Sequence, residues 1–427
     1  MTDIIPPSTA TDEAPEEAPR PGVLAPLRYP MFRLLVAGRT VTMAGNAVAP
    51  IALAFAVLDL TGSARDLGIV VGVRSLANVV FILFGGVIAD RLPRQLIMVG
   101  ASTLACLTQA AVATTVLTGT ATLPVLIGLS AVNGIATALS FPAASAIVPQ
   151  TVPAEVRQQA NAINRLGFNS AMIAGAGLGG LLVATVGPGW GLAVDAATFG
   201  IGGLLFAFVR VPRLAAPAQR KSIFTDLRIG WAEFIRRTWL WVVVAGFCVI
   251  NAVLAGSLMV LGPVVADAEF GRKAWGLVLA METAGMVLGA LLAMRVRVKR
   301  FLFYGVLWCF ADLWLILALG ITPQVVPLLI ASFAVGFAVE QFSVAWETTM
   351  QEHVPADILA RVYSYDMLGS FLALPIGQVA AGPIAEHFGV RQTLIGAAVL
   401  CGLATIAMLL SRDVRHLPHK LTASSID

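Results

Sequence analysis

Six ionisable side chains interrupt long apolar stretches of this chain: Arg39, Arg74, Asp195, Glu282, Asp312 and Glu340. In hydrocarbon such a residue costs about 2.5–3.5 kcal/mol at a helix centre, so each is a candidate for function. A carboxyl at that depth can take up and release a proton, a guanidinium can meet an anionic ligand group, and the two can pair across helices. Glu282, eight residues into its stretch, is the first candidate for a proton carrier. Arg74, at similar depth in the first half of the chain, is a candidate charge partner for it or a contact for an anion. Arg39 lies nearer one end of its stretch, where snorkelling to the interface or a structural pair competes with a ligand contact. Asp312 is a candidate for function or for a structural pair with another helix, while Glu347 and Asp366 lie close to stretch ends and read as solvated or loop groups. Asn46, Asn78, Asn133 and Asn251 suit hydrogen bonds to a polar ligand or, equally, from helix to helix.

The elements that must position these residues follow from composition. Of 427 residues 58% are hydrophobic and 12% charged, with a mean hydropathy of +0.85. A soluble domain carries about 25% charged residues, so a water-exposed globule is excluded. Apolar runs fall at 32–58, 66–89, 95–117, 122–147, 166–186 and 189–210, and again at 238–262, 274–294, 301–320, 323–346, 362–385 and 390–411. Crossing a bilayer takes about 20 apolar residues, and in lipid the backbone must satisfy its own hydrogen bonds, which makes these runs helices. The predicted fold class is an all-α polytopic membrane protein with twelve transmembrane helices. With both chain ends on one side, 22 of the 28 Lys and Arg fall in segments of that side, and four in the loops of the other. Positive charge marks the cytoplasmic side, so both termini are expected in the cytoplasm.

Other classes are excluded in the same way. The net charge of +4 is spread in small clusters between the runs rather than gathered with aromatics, which argues against a nucleic-acid partner. No GxxxxGK[ST] loop occurs, so no ATP partner is expected, and HExxH and GxSxG are missing as well. An enzyme activity, a metal and a cofactor are accordingly not expected. Cys106, Cys248, Cys309 and Cys401 stand singly in apolar runs without metal-ligand spacing. His353, His387, His416 and His419 fall in loops or the tail and read as solvated.

Residues 1–27, rich in Pro, Ala and Glu, read as a disordered tail, and their acidic start is not that of a cleavable signal. Residues 28–210 and 238–412 read as two six-helix halves, with 413–427 as a second tail. The linker 211–237 carries Phe224, Leu227, Ile229, Trp231, Phe234 and Ile235 among charges, the pattern of an amphipathic helix on the membrane surface. A shift of 202 residues lays Val152-Pro153-Ala154-Glu155 on Val354-Pro355-Ala356-Asp357. It also pairs Gly134 with Gly336, Gly167 with Gly369, Gly175 with Gly377, Gly180 with Gly382 and Gly187 with Gly389. Five coincidences around a shared loop indicate a duplication. Six helices is an even number, so the halves run parallel, related by an axis along the membrane normal, with a cavity between them near the midplane. Rocking of one half on the other would open that cavity to each side in turn, and transport is the leading function.

The loop after the second run, Gly86-Val87-Ile88-Ala89-Asp90-Arg91-Leu92-Pro93-Arg94-Gln95, resembles the GxxxD(R/K)xGRR motif of the major facilitator superfamily. Pro93 stands at the second Gly and Gln95 at the final basic position. The twelve-helix plan, the duplication and the long central linker extend the resemblance over about 30–412. LTGSARDLG at 60–68 and WETTMQEHVPADILARVYS at 346–364 resemble the branch that contains macrolide-efflux proteins and the enterobactin exporter. The resemblance implies that Gly86, Asp90, Arg91 and Arg94 form a gating loop that latches the cytoplasmic side while the cavity faces outward. In the second half Gly289 and Arg297 keep the spacing, but Ala293 stands at the acid. Gly167, Gly175, Gly179 and Gly180 resemble the GPxxGG signature of family exporters, with Ala176 in place of Pro, and tight packing of the halves is the alternative role for them.

The function so implied is secondary active transport: a proton-coupled antiporter exporting an amphipathic small molecule, such as a drug, antibiotic or siderophore. It would act as a monomer in the lipid bilayer of a bacterial plasma (inner) membrane, driven by the proton gradient, and could confer multidrug resistance. The alternatives are an uptake symporter for a metabolite and a sensor or assembly protein that no longer transports.

Overall fold

The computed structural model of the protein describes residues 24–89, 93–210, 231–293, 296 and 298–419, and among these it contains helices and no strand. Twelve long helices follow in chain order. The first six are α1 Pro30–Thr61, α2 Ala64–Ala89, α3 Arg94–Leu117, α4 Leu123–Ile147, α5 Arg157–Val186 and α6 Pro188–Ala207. The second six are α7 Thr238–Phe270, α8 Arg272–Ala293, α9 Phe301–Ile321, α10 Val325–His353, α11 in two segments, Ala356–Phe371 and Leu374–Phe388, and α12 Val390–Leu410. Eleven are long and apolar enough to cross a membrane, and α2, which carries Arg65, Asp66 and Arg74, completes the twelve. Large apolar side chains such as Leu107, Leu204, Trp314 and Ile330 are more than 60% exposed on the outer surface, as lipid contact requires.

Local chemistry sets the helix ends. Pro30 and Pro188 open α1 and α6, where the missing N–H has no helical partner to lose. Gly62, Gly119, Gly187, Gly271 and Gly389 all have positive φ, from +65° to +94°. Each sits in a turn at the face opposite the chain ends, here the far face, and folds one helix tightly back on the next. The helices outrun the apolar stretches: α5 starts at Arg157 rather than 166, α7 runs to Phe270, α10 runs to His353, and α11 starts at Ala356 rather than 362. Hydropathy marks only the part in hydrocarbon, while backbone hydrogen bonding continues into polar turns beyond it. Order also begins inside the stretch read as a disordered tail, because Ala25–Arg28 forms a 3-10 turn with Pro26 buried. Residues 1–23 and 420–427 lie outside the described residues, as does linker 211–230 with the first half of the expected surface helix. Its last part, 231–236, is helical, and Trp231 stacks on Phe234 at 5.7 Å and meets Tyr365 at 5.4 Å.

In each half the same contacts recur. α1 packs on α5 and α6, and α2 on α4; α7 packs on α11 and α12, and α8 on α10. The 202-residue glycine pairs mark these crossings. Gly175 lies against the Ala44 carbonyl of α1 and Gly377 against the Ala252 carbonyl of α7, while Gly134 lies against the Arg74 carbonyl and Gly336 against that of Glu282. A side chain at any of the four would strike a carbonyl oxygen. Arg74 and Glu282 therefore occupy equivalent places in the two halves.

The halves meet along α5–α8 and α2–α11. α11 reaches α2 through Leu374–Phe388, whereas its Ala356–Phe371 segment packs on α7, and α7 reaches the first half through Ala255–Val265. At the far face Gly180 faces Gly276, Gly382 faces the Arg65 backbone, and Gly68 faces the Gln378 carbonyl. Arg272 clasps this seam: its guanidinium holds both oxygens of Asp59, at 3.0 and 2.5 Å, and donates from Nε to Asp267 at 2.7 Å. The molecule is closed at the far face.

Candidate functional site

Four of the six membrane-embedded charges fall into two groups, one in each half. In the first half Asp195, fully buried on α6, accepts a 2.5 Å hydrogen bond from Gln109 Nε2 of α3. Arg74 of α2 interacts electrostatically with Asp195. The charge nearest in effect to Arg74 is thus an acid of its own half, Asp195, and not Glu282. Nearby, Asn133 Nδ2 donates to Thr108 Oγ1 at 3.3 Å and Asn78 Nδ2 donates to the Gly134 carbonyl at 3.3 Å, so both bond from helix to helix. Removing a partner from a buried polar group costs about 1–3 kcal/mol. Gln109→Leu is accordingly expected to destabilise the folded protein by about that much, read as a lowered Tm in detergent, with Thr114→Ala on the exposed side of the same helix unchanged. Arg39 and Asn46 line a cavity of about 90 Å³ with Thr42, Thr137 and Phe168.

In the second half α7, α9, α10 and α11 enclose a cavity of about 330 Å³. Asp312 of α9 and Asp366 of α11 stand in its wall beside Phe247, Trp308, Phe342 and Trp346. Asp366 accepts from the Trp346 indole at 3.0 Å and from Ser370 Oγ at 3.3 Å. Asn251 Nδ2 donates to the Ser370 carbonyl at 3.0 Å, which leaves Asn46 as the asparagine of the four with no hydrogen bond recorded among the described residues. Asp366 is thus a cavity residue and not the solvated end group that the sequence suggested. The early start of α11 places it ten residues into the helix rather than four. Glu282 is half-buried on α8 and interacts electrostatically with Asp312. No hydrogen bond or ion pair is recorded for it among the described residues. Glu340 of α10 interacts electrostatically with Arg165 of α5, across the two halves.

The motif residues divide. Gly86 lies in the last turn of α2 and Arg94 opens α3, while Asp90, Arg91 and Arg297 lie outside the described residues. Gln95 donates to the carbonyls of Ala207 at 2.8 Å and Phe206 at 3.3 Å, capping the end of α6. The α5 glycines serve close packing: Gly167 abuts Thr40, Gly175 and Gly179 abut α1, and Gly180 abuts α8. Two of the histidines are not solvated. His353 bonds the Thr349 carbonyl at 3.1 Å and edges Trp239, and His419 pairs with Glu352 at 2.9 Å and lies on Phe301. Among the described residues no group of three His, Cys, Asp or Glu could hold a metal ion.

Two parallel six-helix halves closed at one face, with charges inside each, describe a transporter scaffold, and residues 35–371 match the model of the Major Facilitator Superfamily. The chain belongs to the major facilitator superfamily. It is 27% identical over 411 residues to the multidrug efflux pump Tap of Mycolicibacterium fortuitum, covering 91% of this chain and 96% of that protein. It is 25% identical over 415 residues to the enterobactin exporter EntS of Escherichia coli O127:H6, covering 93% and 96%. The crystal structure of the nucleoside transporter NupG superposes with a TM-score of 0.71 at 14% identity, over 90% of this chain and 100% of that one. At that identity the likeness concerns the fold.

In this superfamily member the sequence reading missed the aromatic wall. Phe342 and Trp346 lie four residues apart on α10, and Phe247 and Asn251 four apart on α7, so each pair shares one helix face. That spacing is visible in the sequence, but it is also the spacing of ordinary helix packing. Only the fold shows that the two faces look at one cavity.

Proposed function

We propose that the protein exports amphipathic small molecules by alternating access and exchanges them for protons. The observation that carries this reading is the seam that the described residues of the two halves form at the far face. The halves meet at the far face through close-packed glycines and the Arg272 clasp on Asp59, beside Ile51, Phe55, Leu261 and Trp275 of one shared apolar cluster, and small residues let such helices approach and slide. With the far face outside and both termini in the cytoplasm, the present arrangement is the inward-open member of the cycle. The export direction draws support from the full-length similarity to Tap and EntS. Glu282 is the proton carrier, on a helix that forms the seam at one end and neighbours Asp312 at its middle. The Arg74–Asp195–Gln109 group holds the first half together.

The experiment is accumulation in a bacterial strain that lacks its own efflux pumps, with and without expression of this chain, against a panel of drugs, antibiotics and siderophores. Expression is expected to lower the steady-state content of at least one compound, and an uncoupler to restore it. A compound that accumulates on expression would establish uptake instead.

A further inference from the structure

The cavity around Asp312 gathers carboxyl groups with no cation beside them among the described residues. Asp312 is 5% exposed, and its Oδ1 has no hydrogen-bond partner among the described residues. Asp366 shares the cavity wall, and Glu282 interacts with Asp312 from α8. No Lys or Arg stands among the described lining residues. α7, α9 and α10 contain none along their whole length; α8 and α12 carry theirs, Arg272, Lys273 and Arg391, in the first turn at the far face, and α11 has Arg361 near its terminal-face start. Carboxyls gathered in such surroundings need a proton or a cation to balance them.

The rest of the wall suits a cation with an aromatic body. Phe247 stacks on Phe342 at 4.2 Å, Phe342 on Trp346 at 6.0 Å, and Trp308 closes another side. Ring faces attract a positive charge, most of all once it is desolvated. A volume of about 330 Å³ falls at the lower end of the range of small-molecule sites. The first-half cavity is the contrast: about 90 Å³, with Arg39 in its wall and no acid among its lining residues. These two cavities thus offer opposite charge, and the acidic one is the roomier of the pair; a cavity of about 460 Å³ between α7, α11 and α12 is roomier still but has no charged residue in its described wall.

We infer that the Asp312–Asp366 cavity is a binding site for a monovalent organic cation bearing aromatic rings. Asp312 is its counter-ion, Asp366 its second anchor, and Phe342 and Trp346 pack its rings. This assignment rests on the export reading above and names the substrate class.

The test uses the full-length protein in nanodiscs and two probes of one shape and opposite charge, tetraphenylphosphonium and tetraphenylborate. Trp308 and Trp346 line the cavity, so quenching of tryptophan fluorescence reports occupancy. The cation is expected to quench saturably and the borate not to compete. Asp312→Asn is expected to weaken cation binding about tenfold or more, the loss of one charge-assisted contact. Ser343→Phe fills the cavity from α10 without touching a carboxyl, and is expected to abolish quenching even if the Asp312 variant misfolds. Equal cation affinity in folded Asp312→Asn and in Ser343→Phe, or displacement of the cation by equimolar borate, overturns the assignment. Export of neutral or anionic compounds that Asp312→Asn leaves unchanged also overturns it while the export reading stands. Saturable, Asp312-dependent cation binding without gradient-driven movement of any compound supports the assignment and removes the export reading.

Discussion

Glu282→Gln is expected to abolish movement driven by a pH gradient in sealed vesicles while leaving substrate exchange within about threefold of the parent, a change worth less than 1 kcal/mol. The amide keeps the size and shape of the carboxyl, and the Glu282 backbone is held by the close approach of Gly336, so the helix crossing survives the substitution. What the amide cannot do is bind and release a proton. Exchange needs only that the loaded halves rock, whereas net transport against a gradient needs the return leg coupled to proton movement. The two assays therefore separate a proton carrier from a residue that merely supports the fold, since a folding defect lowers both. Gln109→Leu, in the buried group of the other half, serves as the comparison: its loss of stability reduces the amount of active protein and affects exchange and driven transport alike. Full gradient-driven transport by the Glu282 variant at matched expression would take this residue out of the coupling.

The sequence disclosed the parts of this molecule whose signal is local or repeated. Isolated charges in apolar runs marked Arg74, Asp195, Glu282 and Asp312, because a lipid span tolerates so few. The 202-residue glycine register was legible because the same helix crossings are built twice, Gly175 on Ala44 and Gly377 on Ala252. Pairing was not legible. Gln109 lies 86 residues from Asp195 and is uncharged, so nothing in its surroundings marks it as the donor to a buried acid. Arg74 could be placed at the depth of Glu282, but which neighbour it faces depends on helix rotation, and rotation is a tertiary property. The place of Asp366 is hidden for a third reason. Hydropathy places the start of α11 at the lipid boundary, while the helix itself begins at Ala356. His419 escaped in the same way as Gln109, since its partner Glu352 is 67 residues away.

Gly180→Leu should open the far face. A Cβ built on Gly180 would lie 2.6 Å from Gly276 Cα and 3.3 Å from the Arg272 carbonyl oxygen. Both are backbone atoms, so no rotamer change can make room, and the Arg272 clasp on Asp59 lies next to the same seam. Overpacking of this kind costs about 1–3 kcal/mol. Because that cost falls on the closed seam and vanishes once the halves part there, it acts as a shift in the equilibrium between the two faces, about 5- to 150-fold. Gly177 is the internal control: three residues earlier on α5, its added Cβ would meet Ala280 at 3.8 Å, an ordinary contact. Gly177→Ala should leave the balance unmoved. Gln378, 6% exposed where α11 meets Gly68, gives a reporter. In a background with the four native cysteines replaced, Gln378→Cys should react faster with an impermeant maleimide when Gly180→Leu is present. Equal labelling in the Gly180→Leu and Gly177→Ala proteins would mean that the seam does not set which face is open. The same wedge introduced from the other side, Gly276→Leu, should reproduce the shift, because the collision belongs to the pair of backbones and not to either helix alone.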